Sequence, residues 1–127
     1  MLLSLNENYE LGILTNGKIV EQKQKIERMK LYDIISPDQV FISDEIGYEK
    51  PDPKSFHYAL NKLNATSTDS IYVGDSWVND IEGSINAGMS AVWVNDATVL
   101  PEDISSSAKI ITIPSILDLE IALQSNF

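Results

Sequence analysis

Cysteine is absent from this chain, which removes both a disulfide framework and any thiolate metal site. Basic residues are scarce: nine lysines and arginines face 19 acids, leaving a formal net charge of −10. A surface of that sign repels nucleic acid and anionic lipid, so neither is expected as a partner. An anionic small substrate would need a bound cation or local lysines to overcome the field. No apolar run approaches the length of a membrane span, and the opening Met1 to Leu5 is too short for the apolar core of a secretory signal. Taken together, these absences favour the cytoplasm. Nor does any G-x-G-x-x-G follow the first expected strand, which disfavours a dinucleotide-binding module.

What remains is a chain of 127 residues with 43% apolar content, enough for one core. A single domain spanning 1–127 is expected. Strand-like and helix-like patterns alternate along it, the arrangement of βα units in a parallel sheet. Leu2 to Asn8 has a partial apolar face and reads as helix. Leu11 to Leu14 reads as a buried strand, stopped by Thr15-Asn16-Gly17. Lys18 to Lys30 is expected to be helical, with Ile19, Ile26 and Met29 near one face.

Val40 to Ile42 is the second expected strand, followed by a loop from Ser43 to Pro53. Asp52 and Pro53 read as N-cap and first position of a helix running to Leu63. Ile71 to Val73 is a third strand, Val78 to Ala87 a helix, and Gly88 its C-terminal stop. Ala91 to Val94 and Ile110 to Ile113 complete five strands, with a polar loop from Asn95 to Ala108 between them. Pro114 and Ser115 open a last helix, Ile116 to Leu123.

In parallel sheets, ligands bind beyond the C-terminal strand ends. The residues expected there are Thr15 and Asn16, then Ser43 to Lys50, then Asp75 to Asp80. Their types suit phosphate chemistry. The Thr15 hydroxyl and neighbouring backbone N–H groups can hydrogen-bond phosphoryl oxygens, with Gly17 permitting close approach. Lys50, beside the stiff Pro51-Asp52-Pro53, offers a positive charge to a phosphoryl group. Asp75 would coordinate Mg²⁺ directly, while Asp80 would ligate through water or orient Lys50. Each element has a plainer reading. Thr15-Asn16-Gly17 could simply close a strand, Lys50 could be a solvated charge, and Asp75 or Ser76 could be an ordinary helix cap. His57 is expected to be a packing or surface residue, and Trp77 and Trp93 core or site-wall residues rather than binding aromatics.

In order, these stretches resemble the haloacid dehalogenase superfamily, particularly its phosphatase-like members. Ile13 to Gly17 is similar to the family's second motif, whose Thr and Asn bind the phosphoryl group. Ser43 to Pro53 resembles the third motif, with Lys50 as its lysine, and Gly74 to Asp80 the fourth, whose acids hold Mg²⁺. Gln22, Lys25 and Leu31-Tyr32-Asp33 also fall where the family commonly has similar residues. The resemblance implies a Rossmann-like, three-layer α/β fold around a parallel sheet of about five strands. It implies hydrolysis of a small phosphorylated metabolite through an aspartyl-phosphate.

One departure stands against the matches. The family's first motif, Asp-x-Asp, supplies the nucleophile and the general acid/base, yet no aspartate precedes Thr15. The cap that selects substrate in many relatives lies upstream of that point as well. The resemblance therefore implies the C-terminal portion of a hydrolase, missing its central nucleophile strand and inactive alone. Two unpaired edges would follow, to be closed by each other, by a second copy, or by a complementing N-terminal segment. Dimerisation is slightly preferred. The alternative is a catalytically dead module that binds phosphate or Mg²⁺, or scaffolds a partner. A phosphorelay receiver domain shares the length but has its acids first and Lys-Pro last, the reverse of the order here.

Overall fold

The computed structural model describes residues 2–95 and 109–126. Among the described residues helices largely alternate with strands, and each strand pairing is parallel. The chain divides into two compact units, Met1–Ala65 and Thr66–Phe127. Each is built around its own small parallel sheet.

The first unit runs α1 (Leu2–Asn8), β1 (Ile13–Thr15), α2 (Ile19–Arg28), β2 (Val40–Ile42), α3 (Ser43–Ile46) and α4 (Pro53–Lys62). Strand β1 pairs with β2 in the register Thr15 to Ile42. All three residues of β2 are buried, as expected of a continuous β-branched and aromatic run. Ile26, Ile35, Val40 and Ile42 form the core, with Leu11, Ile13 and Tyr32 packed around it. Glu21 in the first turn of α2, and Lys25 and Arg28 in its last, complement the helix dipole.

The expectation for Met29 does not hold. It is 61% exposed, because α2 stops at Arg28 and Lys30 turns the chain with φ 57°. Ser43 to Ile46, read as loop, is instead one short helical turn closed by Gly47. Helix α4 starts as expected: the Asp52 carboxylate accepts from the Lys54 N–H at 3.0 Å, and Pro53 occupies the first turn. Asp52→Ala is expected to lower stability by about 1 kcal/mol, measured as a fall in the urea midpoint with an unchanged slope. Ser55, Phe56, Ala59 and Leu60 form the buried stripe of that helix.

The second unit contains β3 (Ile71–Gly74), a π-helical turn (Trp77–Glu82), α5 (Gly83–Asn86), β4 (Ser90–Val94), β5 (Ile110–Ile113) and α6 (Leu119–Asn126). Its strand order is β3-β4-β5, with β4 central and Ala91, Val92 and Trp93 buried. Ile81, Ala91 and Trp93 make the core, against Trp77, Ile85 and Ile110. The helix expected from Val78 opens as a π turn because the Ser76 carbonyl accepts from both Asp80 and Ile81. Gly88, at φ 91°, ends the segment as expected. Most of the loop expected between the last two strands lies outside the described residues. Among the described residues, β1 has β2 as its one strand partner and β3 has β4.

Candidate functional site

In the first unit, parallel pairing of β1 with β2 sets Asn16-Gly17 beside Ser43, immediately after both strands end. The Gly17 N–H donates to Ser43 Oγ at 2.8 Å, and Ser43 Oγ returns a longer bond to the Gly17 carbonyl at 3.4 Å. Gly17 has φ 142°, and a Cβ there would stand 2.6 Å from Gln22 Nε2. That backbone angle favours glycine, and a larger residue would also have to displace the Gln22 side chain. The Thr15 hydroxyl donates to Gln22 Oε1 at 3.0 Å, so α2 orients the threonine.

Asn16 ties two loops together. Its Oδ1 accepts from the Lys50 N–H at 2.9 Å, and its Nδ2 donates to the Lys50 carbonyl at 3.0 Å. The carboxamide thus pairs with the Lys50 main chain much as one strand pairs with another. This binds the second-motif tripeptide to the lysine loop 34 positions onward. Within this unit Thr15, Asn16, Gly17, Ser43 and Lys50 are brought into one hydrogen-bonded assembly. Two of the groups expected to meet phosphate, the Asn16 side chain and the Gly17 N–H, hold neighbouring loops in this state. An open cleft of about 860 Å³ borders the assembly, with Lys18, Glu21, Asp44 and Tyr48 in its lining.

In the second unit, β3 ends at Gly74 and delivers Asp75, whose side chain is exposed. Asp80 is 5% exposed, and its Oδ2 accepts from the N–H groups of Asp75 at 3.1 Å and Ser76 at 3.0 Å. Ser76 is the N-cap, its Oγ accepting from Asn79 N–H at 3.2 Å. The plainer reading of that serine is therefore also correct. Trp93 donates its indole N–H to the Asp75 carbonyl at 3.0 Å, and packs edge-on to Trp77 at 4.7 Å.

Mg²⁺ is the cation the resemblance implies. Among the described residues, no three of His, Cys, Asp or Glu gather closely enough to form a protein cage. Mg²⁺ does not require one, since it keeps several waters and takes one or two carboxylates. The exposed Asp75 carboxylate fits that mode. Asp80 fits it less directly, because Oδ2 is engaged by two backbone donors.

Sequence alone places Ser43 at the strand-end rim, Gln22 in the family pattern and Trp93 in the core or site wall, but names a hydrogen-bond partner for none of them. A polar residue directly after a fully buried strand is a usable signal for Ser43. Trp93 gave none, since nothing local marks it as the register partner of Gly74.

Residues 1–94 match the haloacid dehalogenase-like hydrolase family. The chain belongs to that family. Among curated haloacid dehalogenase-type relatives, human N-acylneuraminate-9-phosphatase is 36% identical over 126 residues, covering 98% of this chain and 50% of that protein. Glyceraldehyde 3-phosphate phosphatase of Methanothermobacter thermautotrophicus is 38% identical over 90 residues, covering 71% of this chain and 39% of that protein. The chain spans half or less of the length of these relatives. A crystal structure of a HAD phosphatase from Thermococcus onnurineus matches 96% of this chain and 54% of its own, at TM-score 0.79 and 29% identity. The putative HAD-hydrolase YfnB from Bacillus subtilis, bound to magnesium, matches 99% of this chain and 54% of its own, at TM-score 0.82 and 25% identity.

Proposed function

We propose that these residues supply the phosphoryl-binding, lysine and cation-holding parts of a phosphohydrolase acting on small phosphate monoesters. The observation that carries this reading is the Asn16–Lys50 pair, which ties the threonine-bearing strand end to the lysine loop. A phosphoryl group needs a hydroxyl donor and a cation presented from fixed backbone, and such preorganisation is the main electrostatic contribution to this kind of chemistry. The phosphatases among the relatives support the same assignment.

In this reading Thr15 donates to the phosphoryl oxygens, and the Asn16-Gly17 backbone lets the group approach. Lys50 opposes its negative charge. Asp75 would hold Mg²⁺, with Asp80 bonded to its backbone N–H; a bound ion of this kind supplies positive charge to phosphoryl chemistry. The family's nucleophile attacks phosphorus to give an aspartyl-phosphate that water then hydrolyses. No aspartate in this sequence stands ahead of Thr15 to take that part. These residues alone should therefore bind phosphate without turning over esters. Among the described residues β1 pairs with β2 alone and β3 with β4 alone, which supports a partner that contributes a strand, either a second copy or a segment bearing Asp-x-Asp.

Two measurements on the purified chain test this. Inorganic phosphate with Mg²⁺ is expected to shift the amide resonances of residues 15–17 saturably, and an aryl phosphate is expected to release nothing above the blank. Absence of shifts in that segment would remove the phosphate assignment. Phosphate release that disappears in Lys50→Ala would overturn the expected inactivity.

A further inference from the structure

Asp75 is held on both sides of its own peptide, by side chains from two different elements. Its N–H donates to Asp80 Oδ2 at 3.1 Å, and its carbonyl accepts the Trp93 indole N–H at 3.0 Å. Asp80 comes from the π turn and Trp93 from β4. The π turn makes the first contact possible. A carboxylate reaching back to the start of a helix normally sits three residues after the cap. Here the wide turn after Ser76 brings in the fourth, Asp80, while Asn79 bonds the cap hydroxyl.

Trp93 is fixed in its turn. It is 7% exposed, its backbone is the register partner of Gly74, and its ring meets that of Trp77 at 61°. With both main-chain polar groups engaged, the remaining freedom of Asp75 lies in its side-chain torsions. A carboxylate on so constrained a backbone needs little further ordering to take a cation.

We propose that Trp93 is a positioning residue for cation binding at Asp75, and that Asp80 acts with it as a backbone clamp through Oδ2. This rests on the reading that Asp75 holds Mg²⁺. It goes further by giving a role to an indole that looks like ordinary core, and by giving Asp80 Oδ2 work other than ligation.

Trp93→Phe keeps an aromatic ring against Trp77 and removes the donor. Mg²⁺ titrated into the wild-type chain, followed by calorimetry and by amide resonances, should saturate, and Asp75→Asn should abolish the signal. Trp93→Phe should weaken Mg²⁺ by roughly 3- to 10-fold, the factor expected from one lost hydrogen bond to a partly buried carbonyl. Trp77→Phe loses an indole bond to Glu82 instead, and should stay within about twofold of wild type. Wild-type affinity in Trp93→Phe overturns the proposal, as does equal weakening in both tryptophan variants, which would mean general loss of packing. Should Trp93→Phe not fold, the wild-type indole N–H resonance of Trp93 decides. It must move with Mg²⁺ along the same isotherm as the Asp75 amide, and a stationary peak overturns the inference. A wild-type titration that Asp75→Asn leaves unchanged sinks the cation reading itself, a different outcome from an unaffected Trp93→Phe.

Discussion

Gly74→Ala is expected to destabilise the second unit by about 2–3 kcal/mol, the usual cost of forcing atoms into a filled site. A Cβ at this position would overlap the Cβ, Cγ and Oδ2 atoms of Asp80. The neighbour cannot step aside cheaply. Asp80 is buried, the next residue Ile81 is fully buried in the core, and Oδ2 holds the N–H groups of Asp75 and Ser76. Moving the carboxylate would strand those two donors, each worth about 1–3 kcal/mol if left unmet. The backbone angle of Gly74 is not the obstacle, because it lies outside the left-handed region. The effect is therefore steric and should depend on its partner. In an Asp80→Gly background, which removes the obstructing atoms, the same alanine should cost under about 0.5 kcal/mol, so the two changes are strongly non-additive. Urea midpoints of the four proteins measure this coupling. A Gly74→Ala chain as stable as wild type would mean that Asp80 does not occupy the place described.

The strands were legible because their signal is local. Val40-Phe41-Ile42 and Ala91 to Val94 are short apolar runs bounded by polar residues, and both are buried strands. Helix α4 was legible from Asp52-Pro53, a cap followed by a residue that lacks the N–H a helix start cannot use. The segments before it were harder. Ser43 to Ile46 carries two acids and a serine, and one turn is too short for an apolar period to show. Met29 continued the apparent stripe of α2, but a stripe does not say where a helix stops.

For the candidate site, residue types could be read but partners could not. The tripeptide Thr15-Asn16-Gly17 announces hydroxyl, amide and a permissive backbone. Nothing near it announces that the amide reaches Lys50, 34 positions later. The acid at position 80 looked like a ligand or a lysine partner. Its engagement by two backbone N–H groups depends on a π turn, and hence on the carbonyl of Ser76 accepting twice. Hydrogen bonds between distant segments leave no periodicity, so only coordinates reveal them.

The Asn16–Lys50 pair leads to the second large effect. Asn16→Ala removes the acceptor for the Lys50 N–H and the donor for its carbonyl together. Both groups are part-buried, so water replaces the lost partners incompletely, and a cost of about 2–3 kcal/mol is expected. Asn16→Asp separates the two halves of the pair. The carboxylate can still accept from the Lys50 N–H, yet it has no proton for the Lys50 carbonyl that now sits 3.0 Å from the amide nitrogen. Two oxygens cannot share that spacing without a hydrogen, so this near-isosteric change should recover little of what alanine loses. Hydrogen exchange at the Lys50 amide reads the pair directly. Its protection should fall by about 30-fold or more in Asn16→Ala, the equivalent of 2 kcal/mol of local opening. In Asn16→Asp the same amide should keep more of its protection while the urea midpoint still drops. That split distinguishes a paired clamp from general packing around residue 16, which would move both readouts together in both variants. If the Lys50 amide exchanges at the wild-type rate in Asn16→Ala, the two loops are held by something else, and the observation on which the proposed phosphoryl site rests is lost.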